Sequence, residues 1–508
     1  MIQNPILPGF YPDPSVCCVK GMYYLVTSSF EFYPGVPIFE SRDLVNWTQI
    51  GHCLTTSAQA QLSQIAPSRG IWAPTLRWHD GLFYLASVNM DGGGNFFVTA
   101  KQPRGPWSAP VYVPMKSIDP SLFFENNRCY FMTPQTKHAG ETRGIYMAEI
   151  DCLTGALRSE ERLLWQGSGG KCLEAPHLYH INAWYYLFAA EGGTEYGHCV
   201  TVARSRTLWG PYESCAQNPM ITNRDDHDNP LQCAGHGDLV KAPDGSWAMV
   251  LLASRWSTKW HSQIGRETCL VPIVWKDEWP CLARGDHHLH AAVSLPWRHE
   301  PQHLPHDFHA DFTTPDWDLS LNFLRNPDFS RYRRNRADNS VTLRGAAPLS
   351  EIGSPTFIGH RQQWMSCTCA VTLHFIPTQN AEAGLSVYLA PHYHFDLAAV
   401  CIDGTPRLVL RQTVGQYLSA ITGSIPLPQN PVKLVLRAKP TVYEFYCIDE
   451  NGTESFLGCG ETKLLSNELA KLFTGVYFGL YCTDSCKVAV ATFSNFSCEE
   501  TVCEISLQ

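Results

Sequence analysis

The 508-residue chain is poor in charge, with only 17% Asp, Glu, Lys and Arg against the usual quarter. It has no long run of lysine or arginine, and its 38 basic residues are outnumbered by 47 acidic ones. An acidic surface without a basic stripe excludes nucleic acid as the expected partner. Nor does any stretch approach the ~20 consecutive apolar residues of a membrane-spanning helix, so no membrane partner is expected. The opening Met1-Ile2-Gln3-Asn4-Pro5 lacks the basic-then-apolar pattern of a secretory leader. The 20 cysteines show no paired Cys-x-x-Cys ligand set. The expectation is a cytoplasmic protein whose thiols are free and mostly buried.

What is present in excess is aromatic: 15 Trp, 21 Tyr and 24 Phe. β-Rich core packing accounts for much of this, and flat rings also stack on sugar faces. Length predicts at least two domains.

A short motif recurs five times, as Asp13-Pro14-Ser15, Ala73-Pro74-Thr75, Asp119-Pro120-Ser121, Ala175-Pro176-His177 and Gly237-Asp238-Leu239. Eight residues after each first member stands a turn residue that opens an aromatic strand: Gly21, Gly81, Asn127, Ala183 and Gly245. A closing element ending in Trp47, Trp107 or Trp209 follows in three intervals, and reads as an outer strand ending in Trp. Four short strands repeated radially make a β-propeller, here with five blades over residues 1–300. Residues 281–310 read as a Pro-rich polar connector carrying His287, His288, His290, His299, His303, His306 and His309, with a metal site the weaker reading. Beyond it, even-spaced strands at Val371–Phe375, Gly384–Leu389, Leu408–Arg411, Val432–Arg437 and Val476–Tyr481 predict a β-sandwich, jelly-roll-like, over 301–508. The fold class is all-β.

Equivalent positions of propeller blades converge on the axis. The register therefore gathers Asp13 and Asp119, and, one residue before the equivalent position, Glu174, His236 and Trp72. Clustering three carboxyls costs stability unless function requires it. The cluster could bind a cation such as Ca²⁺ or cleave a glycosidic bond. For cleavage one carboxylic acid protonates the leaving oxygen, a carboxylate activates water, and a third raises the pKa of the acid. Cleavage gives the Trp a use; a cation site leaves it idle.

Eight segments in order, from Asn4-Pro5-Ile6-Leu7-Pro8-Gly9-Phe10-Tyr11-Pro12-Asp13-Pro14-Ser15 through Ile71-Trp72-Ala73-Pro74, Ile118-Asp119-Pro120-Ser121 and Glu174-Ala175-Pro176-His177 to Gly265-Arg266-Glu267-Thr268, resemble glycoside hydrolase family 43. The nearest likeness is its β-xylosidase branch, whose neighbours are α-L-arabinofuranosidases. The resemblance implies an exo-acting, inverting enzyme releasing xylose from β-1,4-xylo-oligosaccharides, or arabinose from an arabinose-bearing oligosaccharide. It implies Asp13 as general base, Glu174 as general acid and Asp119 as the residue tuning that acid. Phe30 and Trp72 would line the sugar subsite, with His236 beneath it and Arg266 reaching in; a structural ion pair of Arg266 with Glu267 is the competing reading. No cofactor is required on this view, while an axial Ca²⁺ and a homo-oligomer stay open. The sequence departs from the branch at Ala175, where Gly is usual, and at Gly237, where Ala is usual.

Overall fold

A computed structural model describes residues 1–135, 143–304, 307–428 and 430–501. Five four-stranded antiparallel units follow one another along the chain. Their innermost strands are Ser15–Val19, Thr75–His79, Ser121–Glu125, Glu174–Ile181 and Leu231–Lys241. The second blade carries an extra short strand, Gly70–Ile71. Each blade opens with a hairpin. In the first three the two turn residues, Lys20-Gly21, Asp80-Gly81 and Asn126-Asn127, all have positive φ, as the primed turns of a twisted hairpin require. The fifth blade has a wider turn, with Lys241 paired to Trp247.

Trp47, Trp107 and Trp209 do not end the outer strands as the sequence suggested. The third strands stop at Ser41, Ala100 and Ser205, and the outer ones start at Thr48, Val111 and Glu213. Each Trp therefore sits in the connection between them. Trp47 shows why: its indole N–H caps the Leu44 carbonyl at 3.0 Å, which favours a tight loop over a continuing strand.

Three of the strands expected in the second half lie within observed ones, Ala381–Ala390, Thr405–Val414 and Val432–Ala438. The other two overrun theirs by one residue, Phe375 lying just past Cys367–His374 and Val476 just before Tyr477–Asp484. They belong to two eight-stranded antiparallel sheets packed face to face over a core that includes Leu385, Leu397, Phe445 and Phe478. One sheet runs on across the domain seam. Its last strand is Phe32–Tyr33 of the propeller, paired with Leu321–Leu324. Phe32 stacks on Tyr477 of the sandwich with ring centroids 4.0 Å apart, in a cluster that also holds Phe10, Phe30 and Phe357. The buried Arg361 guanidinium donates to the Phe10 carbonyl at 3.0 Å and lies over the Tyr11 and Tyr477 rings. Two domains joined by a shared sheet and a buried aromatic cluster hold a fixed relative orientation, which matters for the site.

Of the connector histidines, His287 and His288 both contact Asp225, at 2.8 and 3.1 Å, and His290 contacts Asp286 at 2.8 Å. The connector is thus tied to the propeller through imidazole–carboxylate bonds. His306 lies outside the described residues. Among the described residues one short α-helix occurs, Asn467–Ala470, and it sits at the seam.

Candidate active site

At one end of the propeller axis lies a cavity of about 200 Å³, and all seven residues singled out in the sequence line it: Asp13, Phe30, Trp72, Asp119, Glu174, His236 and Arg266. The backbone explains how they converge. Asp13 (φ 54°), Asp119 (φ 48°) and Ala175 (φ 52°) occupy the same place in three blades, and each is left-handed where its chain enters the innermost strand. In the fifth blade the left-handed residue is His236 (φ 51°), one position earlier, within a strand whose register shifts twice. The kink turns each side chain, or its neighbour's, toward the axis. Such a conformation costs an L-residue about 1–2 kcal/mol, and three of the four residues so strained carry the polar groups of the pocket. Ala175 is the exception, strained only because it follows Glu174; the exchange of small residues at this position is therefore not free for the backbone.

The three carboxyls are held differently. Asp13 is buried, which raises its pKa, but Arg266, His236 and a hydrogen bond from Ser28 outweigh burial and leave the carboxyl below its ordinary value. Arg266 Nη1 donates to Asp13 Oδ1 at 2.5 Å, Ser28 Oγ to Oδ2 at 2.5 Å, and His236 Nδ1 stands 3.6 Å from Oδ1. Glu174 is pushed up to about 7 by burial, with the Asp13 charge adding to the rise and the Arg143 and Arg266 charges opposing it. Asp119 is raised far above the usual carboxylate range by burial and then by the charges of Glu174 and Asp13, although the Ala175 N–H donates to it at 3.1 Å. Three like groups in one pocket cannot all ionise, so the environment sorts them: Asp13 is the anion, and the Asp119–Glu174 pair retains a proton. Burial lowers the pKa of His236, and burial lowers that of His198 to about 4, so both imidazoles are neutral near pH 7.

Arg266 pairs with Asp13 and not with Glu267, which is engaged by Arg255 at 2.6 and 2.7 Å and by the Gly9 N–H. Its Nη1 also reaches Thr194 Oγ1 (3.2 Å), and its Nη2 reaches the Phe473 carbonyl (3.3 Å). Trp72 and Phe30 form one wall, with centroids 6.0 Å apart.

Several lining residues were not selected from the sequence. Thr194, Glu195 and His198 stand in Glu191-Gly192-Gly193-Thr194-Glu195-Tyr196-Gly197-His198, another of the eight segments that carry the resemblance, so the signal was present. Lys171 and Cys172 precede Glu174 on a loop fastened by the buried Glu191 carboxylate, which accepts from Ser168 N (2.5 Å) and Gly170 N (2.7 Å). Phe473 had no local signal. It comes from the sandwich, sets its ring 5.7 Å from Trp72, and is anchored by its N–H to Ser68 Oγ at 2.9 Å. Ser68 also accepts the Trp72 indole N–H on its carbonyl at 3.0 Å. One residue thus fixes both aromatic walls of the pocket, one from each domain. Ser68 is itself held by the buried Glu31 carboxylate, which accepts its N–H at 3.0 Å.

Residues 2–280 match Glycosyl hydrolases family 43, and residues 309–499 match the Beta xylosidase C-terminal Concanavalin A-like domain. The chain is 37% identical to the non-reducing end alpha-L-arabinofuranosidase of Bacteroides ovatus over 95% of this chain and 91% of that one. It is 34% identical to a xylosidase/arabinosidase of Butyrivibrio fibrisolvens, over 98% and 99% of the two chains. The crystal structure of xylan beta-1,4-xylosidase from Bacillus halodurans superposes with a TM-score of 0.91 at 32% identity, covering 98% of this chain and all of the other. With a five-bladed propeller, a sandwich sharing its seam and three sorted carboxyls on the axis, the chain belongs to glycoside hydrolase family 43.

Proposed function

We propose that the protein is an exo-acting, inverting hydrolase that removes xylose from the non-reducing end of β-1,4-xylo-oligosaccharides. The observation that carries the reading is the split in ionisation: an anionic Asp13 and a Glu174 that holds its proton to about pH 7, in one pocket. Glu174 gives its proton to the glycosidic oxygen as the C–O bond breaks. Asp13 takes a proton from a water molecule as that water bonds to the anomeric carbon from the opposite face. The products are free xylose and a shortened oligosaccharide, and the two carboxyls exchange roles as proton holder until solvent resets them. Arg266 keeps Asp13 ionised, the Asp13 charge helps to hold the proton on the acid, and Asp119 shares the proton of the pair with Glu174. A cavity of about 200 Å³ closed by Phe473 supports release of one pentose at a time over cleavage within a chain.

The reading needs no metal. Arg77 provides positive charge on the axis below the pocket, at 2.9 Å from the buried Asp238 carboxylate, which also accepts from Ser15 Oγ and Val16 N. That network engages both Asp238 oxygens and leaves few free beside Arg77 for a Ca²⁺ ion, which prefers six to eight.

The Bacteroides ovatus relative favours a second reading, in which the terminal sugar is α-L-arabinofuranose. Rates on aryl β-D-xyloside and aryl α-L-arabinofuranoside, measured side by side, test both. A kcat/KM ratio in favour of the arabinofuranoside replaces the first reading by the second, and no turnover of either removes both.

A further inference from the structure

Beside the catalytic pocket is a second cavity of about 250 Å³ that shares Thr194, Glu195, Arg266 and Phe473 with it. Its propeller wall is aromatic. Trp260 lies 4.8 Å from Tyr196 and 5.0 Å from Trp256, centroid to centroid. Its other wall is the sandwich segment from Asn467 to Phe473. The two walls are pinned by Glu468, which accepts from Ser262 N at 3.0 Å and from Ser262 Oγ at 3.1 Å.

Three features set this cavity apart from an ordinary seam between domains. Trp260 leaves 44% of its surface in solvent although two aromatic neighbours flank it, and it holds a positive φ of 74°, a genuine outlier for so bulky a residue. Trp256 Nε1, Asn467 Oδ1 and Arg266 Nε are shielded from solvent and have no hydrogen-bond partner. Leaving such groups unpaired costs about 1–3 kcal/mol each, a cost that a hydroxyl-rich ligand removes. The third feature is position. Asp13, Phe30, Asp119, His236 and Arg266 are buried at the floor of the catalytic pocket, whereas Glu195 is exposed at its rim and Phe473 partly so. Lys171 is the other exposed residue of the rim, and of the rim residues Glu195 and Phe473 also line the second cavity, so a sugar bonded to the one in the pocket that emerges on that side enters it.

We propose that this seam cavity binds the sugar units attached to the one being released, with Trp260 as the stacking face and Trp256 Nε1 and Asn467 Oδ1 as hydroxyl partners. The proposal rests on the glycoside-hydrolase reading and deepens it: the preferred leaving group is an oligosaccharide, selected jointly by the two domains. It assigns a function to aromatic residues that the chemistry at Asp13 and Glu174 does not use.

The test compares wild type, Trp260→Ala and a control, Trp78→Ala, whose side chain is equally exposed on the second blade. Both removed side chains are exposed enough for the variants to fold, which melting curves check. Against xylotriose, Trp260→Ala should raise KM about tenfold, the worth of one apolar sugar face returned to water, while KM for aryl xyloside moves less than twofold. Trp78→Ala should leave both unchanged. Titrating xylotriose or arabinotriose should alter the tryptophan fluorescence of wild type, and less so that of Trp260→Ala. Equal KM changes on the short and long substrates, or trisaccharide affinity unaltered by Trp260→Ala, would overturn the proposal. If wild type turns over neither aryl glycoside, the hydrolase reading fails, and the fluorescence titration alone then decides whether the cavity binds sugar.

Discussion

Replacing Glu174 by Gln removes an ionisable proton while keeping shape, and the structure forecasts opposite effects on activity and stability. A sugar leaving group departs as a poor alkoxide and needs the proton, which is worth about 10²–10⁴-fold; a nitrophenolate leaves nearly unaided. Glu174→Gln should therefore slow xylobiose cleavage by that factor and nitrophenyl xyloside cleavage by less than about tenfold. Stability moves the other way. The Glu174 pKa rises from 4.5 to about 7 on folding, so between these values the folded state holds a proton that the unfolded chain has released. Wild-type stability consequently falls as pH rises through this window and stays reduced above it. The full shift corresponds to about 3 kcal/mol, and partial solvent access to Glu174 trims it to about 2 kcal/mol. Gln carries no such liability. Its variant should match wild type near pH 4.5 and melt about 2 °C higher at pH 8, given the unfolding entropy of a chain this long. Paired kinetics and melting curves at both pH values read this out. Equal losses on the two substrates, or a variant no more stable than wild type at pH 8, would refute the assignment of Glu174 as a strained, proton-bearing acid.

Asp13→Asn should cut both substrates by at least about 10²-fold, since water must be activated whichever group leaves; an aryl xyloside rate within tenfold of wild type contradicts that role. Asp119→Asn should lower activity on both and move the basic limb of the pH–rate profile, because the proton that the Asp119–Glu174 pair retains then has a single carboxyl to sit on; an unmoved limb separates Asp119 from the acid. Proton NMR of the first-formed sugar from an aryl β-xyloside should show α-xylose, and β-xylose appearing first would rule out inversion. All nineteen described cysteines are unpaired; titration of denatured, non-reduced protein from its native source should find nearly all 20 thiols of the chain, and several disulfides would overturn the expectation of free thiols.

How much of this the sequence carried depended on the range of the physics involved. The five-fold motif was legible because its first member keeps a fixed offset of eight residues to the turn in every blade, and in three blades that member, Asp13, Asp119 or Ala175, is left-handed, a conformation that tolerates few side chains. Where the backbone bulged, as around Gln232–Asp238, the register slipped, and it is His236 rather than Gly237 that adopts the left-handed conformation. The three Trp residues misled because an aromatic after a charged, extended stretch resembles a strand end, whereas the indole N–H of Trp47 is spent on a carbonyl three residues back. Arg266 was reached only through resemblance, since nothing near position 266 signals that its partner is Asp13.

The larger omission was the seam. No pattern in Phe32–Tyr33 indicates that these residues leave the first blade to pair with Phe323 and Leu324, and none around Phe473 indicates a place against Trp72. Both contacts depend on how two folded bodies dock, and periodicity within one body is silent about docking. The buried polar links explain why the docking is specific. Arg325 donates its backbone N–H to the Glu31 carbonyl at 2.8 Å and its side-chain Nε to the Ile65 carbonyl at 2.7 Å, while Glu31 holds Ser68, and Ser68 holds Trp72 and Phe473. Each link has directional geometry that a purely apolar seam lacks, so sliding the sandwich by even one residue would break several hydrogen bonds at once and leave their partners buried without replacement. The pocket is therefore as much a product of the interface as of the propeller axis, and its aromatic wall is rigid only while both domains are folded.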